Sequence, residues 1–128
     1  MVKAELAVKS NRKITLSSFS KELDGSGCVK IDVVSGQYTY LNSEFYFDDF
    51  VKFIEDLDIV SADLKGFAQL GLLYESSYIK IAVTSLGHME LTGEFHDYGS
   101  IQQKLYFGFQ FDQSYLPKFI DSLKSMMV

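Results

Sequence analysis

The one dense group of potential metal ligands or acid–base residues in this sequence is His88, Glu90, Glu94, His96 and Asp97. Histidine and carboxylate are common zinc ligands and common proton carriers. His88 and Glu90 also form an H-x-E pair, which in zinc deaminases works with a downstream P-C-x-x-C segment. That segment is absent, because Cys28 is the only cysteine. The pattern offers a plainer origin for the group. His88, Glu90, Thr92, Glu94 and His96 alternate strictly with Met89, Leu91, Gly93 and Phe95, as in a half-buried strand with one wet face. A metal site on that face stays open, but a solvated strand face accounts for the same residues. No metal or cofactor is expected.

Other chemistry is no better specified. Cys28 with a distant histidine would make a nucleophile and base, yet it stands just after a turn, at the start of a valine-rich strand, where packing explains it. No G-x-S-x-G elbow surrounds a serine. Gly25-Ser26-Gly27 lacks the spacing of a phosphate loop and reads as a hairpin turn. The expectation is a protein that is not an enzyme.

The elements that must carry these residues follow from periodicity. Val2 to Val8, Lys13 to Phe19 and Val29 to Val33 alternate, with Ile14 and Leu16 on one face and Thr15 and Ser17 on the other. Asp24-Gly25-Ser26-Gly27 and Ser35-Gly36 are turn signals, since glycine accepts positive φ and aspartate bonds its own backbone. Gln37 to Leu41 and Glu44 to Phe47 read as an aromatic-rich strand broken around Asn42-Ser43. From Asp48 the period changes: Phe50, Phe53, Ile54 and Leu57 predict an amphipathic helix with Asp48 or Asp49 as its cap. Strand signals resume from Lys65 to Tyr74 and from Tyr78 to Val83, and Leu86-Gly87 turns the chain. After the strand that ends at His96, a loop is expected over Asp97-Tyr98-Gly99-Ser100. Leu105, Phe107, Phe109 and Phe111 then form a strand whose apolar side chains should all point inward. Tyr115, Leu116, Phe119, Ile120, Leu123 and Met127 mark a second helix, with Pro117 tolerable in its first turn.

Short turns imply antiparallel pairing, because parallel pairs need a crossover of a dozen or more residues. The expected fold is therefore α+β: a curved or two-layer, mostly antiparallel sheet with two amphipathic helices. Phe47-Asp48 leading into the first helix is echoed by Phe111-Asp112 leading into the second. The echo is either an internal repeat or the reuse of one strand-to-helix grammar.

Composition bounds the function. The 128 residues suit one domain spanning 1–128. Apolar residues at 47% and charged residues at 23% are those of a folded protein, and 11 Phe with 8 Tyr favour sheet. Twelve basic against 17 acidic residues leave a net charge of −5, which repels phosphate backbones and anionic lipid heads. Direct nucleic-acid or membrane binding is thus not expected. No apolar run reaches membrane-span length, the first residues lack the pattern of a signal peptide, and a lone cysteine fits a reducing compartment. The cytoplasm is the expected location.

The acidic residues form the candidate binding surface. Asp48, Asp49, Glu55, Asp56 and Asp58 cluster around the first helix, followed by Asp63; Glu90, Glu94, His96 and Asp97 mark the polar strand. Each residue has an ordinary use on a solvated surface, and acids in a first helical turn favour the helix dipole. As a set they suit docking of a basic protein.

Four stretches carry a family likeness: Ile14-Thr15-Leu16-Ser17-Ser18-Phe19, Glu44-Phe45-Tyr46-Phe47-Asp48-Asp49-Phe50, Gly87-His88-Met89-Glu90-Leu91 and Phe107 through Leu116. With them the chain resembles the WapI-like family of bacterial immunity proteins over most of its length. The resemblance implies a protein that accompanies a polymorphic toxin of a contact-dependent inhibition system and neutralises the toxin domain inside the cell. An acidic protein suits a toxin with a basic groove, such as a nuclease, blocked at its active site or substrate path. The alternatives are a small-ligand carrier with an aromatic-lined β cavity and, more weakly, a hydrolase using the His88 to Asp97 strand. Either a monomer or a homodimer is compatible with this reading.

Overall fold

The alternating segments and their tight turns close into two four-stranded antiparallel meanders, each followed by a helix. A computed structural model describes residues 2–71, 77–85 and 87–127. The first sheet is formed by β1 (Ala4–Lys9), β2 (Arg12–Lys21), β3 (Gly27–Ser35) and β4 (Tyr38–Phe47), in that spatial order, and leads into α1 (Phe50–Asp63). The second is formed by β5 (Phe67–Gly71), β6 (Tyr78–Ser85), β7 (His88–Tyr98) and β8 (Gln102–Asp112). A 3-10 turn at Gln113–Tyr115 then leads into α2 (Leu116–Met126). The strand–aspartate–helix echo in the sequence is thus a repeat of topology, with the 3-10 turn as the extra length in the second half. The expected extension of the fifth strand to Tyr74, and Leu86 in the next turn, lie outside the described residues.

The helices tie the halves together. The α1 helix, which ends the first half, packs on β5 of the second; α2, which ends the second half, packs on β1 of the first; and the two helices touch. Their apolar stripes, Phe50, Phe53, Ile54, Leu57 and Val60 on α1 and Leu116, Phe119, Ile120, Leu123 and Met126 on α2, are buried. The α1 helix stops at Leu64, which adopts a left-handed φ of 54° and returns its N–H to the Val60 carbonyl at 2.9 Å.

Between the sheets the core is aromatic. Tyr40 of β4 stacks on Phe107 of β8 at 5.3 Å, and Phe45 meets Phe95 of β7 edge-on at 6.2 Å. Two bulges make this possible. In β4 the register against β3 slips between Val29 and Ile31, so that three steps of β4 oppose two of β3. The extra residue inverts the alternation, and Tyr40, Phe45 and Phe47 all turn inward. The break expected at Asn42-Ser43 is this bulge inside one continuous strand. A second bulge in β2, where Ser18 takes a positive φ of 53°, re-aims Phe19. Its ring lies 4.8 Å from that of Phe50 instead of following Thr15 and Ser17 outward.

Two expectations need correction at the β7–β8 hairpin. The loop does not begin at Asp97, because Asp97 and Tyr98 still pair with Gln103 and Gln102. Leu105 is not in the core: it is 43% exposed, while Phe107, Phe109 and Phe111 are buried. Leu105 stands on β8, the edge strand of its sheet, directly across from the buried Phe95, so the flank left open is the one away from β7.

Candidate functional site

The α1 helix starts at Asp49, whose carboxylate accepts the Lys52 backbone N–H at 3.0 Å. This satisfies one of the orphan donors of the first turn and places negative charge at the positive end of the helix dipole. One turn further on, the Lys52 ammonium donates to Asp56 at 2.9 Å. That hydrogen bond, the charge of Asp56 and the nearby Asp49 and Glu55 hold Lys52 above the usual lysine range. Asp48, Asp49, Lys52 and Asp56 form one wall of a cleft of about 330 Å³; Phe67, Gln69 and Gly71 of β5 form the other.

That second wall is the border of the outer face of the second sheet. Across the ladder, Gly71 is followed by Tyr78, Glu94 and Tyr106. Phe67 is followed by Ala82, Glu90 and Gln110 in the same way. With strands about 4.8 Å apart, Glu90 and Glu94 lie roughly 10 Å from the cleft. Two acidic groups that are 40 residues apart in sequence therefore share one side of the molecule, joined by β5 and β6. Lys80 is set among them, with its ammonium 4.5 Å from the centre of the Phe67 ring. Burial, then the charge of Glu94 and the neighbouring Tyr106, push the Tyr78 hydroxyl above the usual tyrosine range.

The remaining predicted residues are placed differently. Asp58 points towards α2 and meets Lys124 at 3.1 Å. His96 makes a 3.0 Å contact with Glu94 and stacks on Tyr98. Asp97 alternates to the opposite face and accepts the Gly99 N–H at 3.1 Å, shaping the hairpin loop. Glu55 is exposed on the outer side of α1. His88 and His96, eight residues apart on one strand, are separated by roughly 26 Å and cannot share a metal. Among the described residues no group of three or more His, Cys, Asp or Glu is placed to hold one.

The sequence reading missed the aromatic residues of this face. Phe67 and Tyr106 are 57% and 61% exposed. The signal was present, since both occupy outward positions of alternating strands, but it becomes a patch only when β5 to β8 are laid side by side.

Aromatic anchors bordered by charge are the anatomy of a protein-binding surface. The interior that a ligand carrier would need as a cavity is filled by rings in contact: Phe95 and Phe107 lie 4.9 Å apart, and Tyr40 covers Phe107. Among known families, the Immunity protein WapI-like family matches residues 13–128, and the chain belongs to that family. Membership implies a protein partner, the cognate toxin. No curated protein and no solved structure matches the chain. No helix among the described residues is long and apolar enough to cross a membrane.

Proposed function

We propose that the protein protects the cell producing it by binding its cognate toxin domain in the cytoplasm, through the face shared by α1 and the second sheet. One observation carries this reading: Phe67, Tyr78 and Tyr106 sit in one field with Asp48, Asp49, Asp56, Glu90 and Glu94. The aromatic rings supply contact area at low conformational cost, and the carboxylates attract a basic partner and set its orientation. A nuclease, which must present a basic surface to its substrate, has the complementary charge. Occupying that surface blocks the substrate path without any chemistry by the inhibitor. Of the other predicted residues, Glu55 and His96 border the face, while Asp58 is engaged by α2 and Asp97 by its own loop.

The test is protection of cells that express the toxin domain encoded beside this gene. The parent protein should protect. A variant with Asp48, Glu90 and Glu94 changed to lysine should protect poorly while melting normally. Full protection by the folded variant would remove this face from the interface; failure of the parent would remove the toxin assignment.

A further inference from the structure

Open sheets have exposed edges, and unpaired edge strands recruit other strands unless charge, bulges, shortness or a cover prevents it. Three of the four edges here are guarded. The β1 strand carries Glu5 and Lys9 and lies under α2, β4 is bulged, and β5, over its described residues, runs along α1. The β8 strand has eleven residues, and between Gln102 and Phe111 its only charge is Lys104.

The backbone of β8 is open as well. Gln113 donates to the Gly87 carbonyl at 3.1 Å, continuing the β7–β8 register, so the odd-numbered residues of β8 are those bonded to β7. Even-numbered residues therefore turn their N–H and C=O groups to the free edge. Among the described residues one of these groups has a partner: the Gly108 carbonyl accepts the Ser35 hydroxyl at 3.0 Å. Outside that contact, residues 102–106 are all exposed.

We propose that two copies of this chain pair antiparallel through the β8 edge, with the two-fold axis at Leu105, to form one eight-stranded sheet. Matching outward groups of one copy to those of the other places the axis on a single residue. An axis at Lys104 sets two ammoniums against each other. An axis at Tyr106 draws Gly108, already engaged by Ser35, into the centre. An axis at Leu105 instead puts Lys104 beside Tyr106 of the other copy, where the ammonium can lie over the ring. It also lays the half-exposed Leu105 side chains against one another, covering apolar surface that is open at the sheet edge.

Sedimentation of the purified full-length chain over a range of concentrations should show conversion to twice the 14.5 kDa chain mass. Facing Leu105 residues form a non-hydrogen-bonded pair with Cα atoms about 4.5 Å apart, within disulfide reach. Leu105→Cys, made with Cys28→Ser, should therefore give a disulfide-linked dimer with oxidised glutathione. Tyr106→Cys, which faces Lys104, should not. Lys104→Pro removes an outward N–H that an edge strand can spare, and should leave a folded monomer. Leu105→Lys, which sets like charges on the axis, should do the same and serves if the proline variant misfolds. A mass of 14.5 kDa at every concentration, or equal cross-linking by the two cysteine variants, would overturn the proposal. So would a lone monomer whose toxin binding is abolished by Lys104→Pro, since the edge would then belong to a toxin strand.

Discussion

The ring of Phe107 lies over the Cα of Gly93, directly across the β7–β8 ladder. A Cβ at position 93 would stand 2.5 Å from the ring tip and 2.8 Å from the Tyr78 carbonyl oxygen. Because β6 fixes one side and the ring the other, no small movement relieves both. Gly93→Ala should cost about 1–3 kcal/mol through overpacking, measured by urea denaturation. Shortening the ring in the same chain, as Phe107→Leu, should cost less in the Gly93→Ala background than in the parent. Additive costs would refute the contact.

Phe107 and Leu105 test where the core ends. Phe107→Ala should cost about 3–5 kcal/mol, a large share of a small domain's stability. Leu105→Ala, in dilute solution, should cost well under half as much, because this side chain is already half solvated. Equal losses would place Leu105 in the core after all.

Asp49 has two separable roles. As the cap of α1, its replacement by alanine should lower stability by about 1 kcal/mol, whereas asparagine caps as well and should not. If the charge also serves docking, Asp49→Asn should slow toxin association while leaving the melting temperature unchanged. A loss of stability in the asparagine variant would mean that the helix needs the charge itself.

Reversal of Asp48, Glu90 and Glu94 to lysine should act mainly on the rate of toxin association. Long-range attraction is screened within about 10 Å at 0.1 M salt, so the slowing should be greatest in dilute buffer. Stopped-flow association at two salt concentrations measures this. An unchanged rate at low salt would move the docking site elsewhere.

Asp112 caps the turn into α2, and its hydrogen bonds from Ser114 hold its carboxyl below the usual carboxylate range. A folded-state value below the unfolded one means that the capping contribution is complete above the unfolded value. It is lost as pH falls through the folded one. An NMR titration should show Asp112 titrating below an ordinary aspartate, and Asp112→Asn should flatten the acid limb of the stability curve. A normal titration would show that the cap is not formed in solution.

Local physics made much of this protein legible from sequence. Alternation marked most of the strands, the three- and four-residue spacing of Phe50, Phe53, Ile54 and Leu57 marked a helix, and Asp48-Asp49 marked its start. The acid-rich helix and the polar strand were also visible, because charge is carried by composition. Facing and adjacency were not. An extra residue in β2 and another in β4 reverse the alternation, and a bulge is defined by the strand opposite, so Phe19 changes face only once β3 is in place. Leu105 follows the same period as Phe107, yet is 43% exposed on the edge strand while Phe95 across the ladder is buried. The candidate site shows the same division. Its carboxylates could be named from the sequence, but only the packing of α1 along β5 sets Asp48 and Asp56 in one cleft with Phe67, on the same side as Glu90 and Glu94. Asp58, one turn from its fellow carboxylates, is engaged by Lys124 instead, because helix phase and the placement of α2, both tertiary facts, decide which neighbour each charge meets.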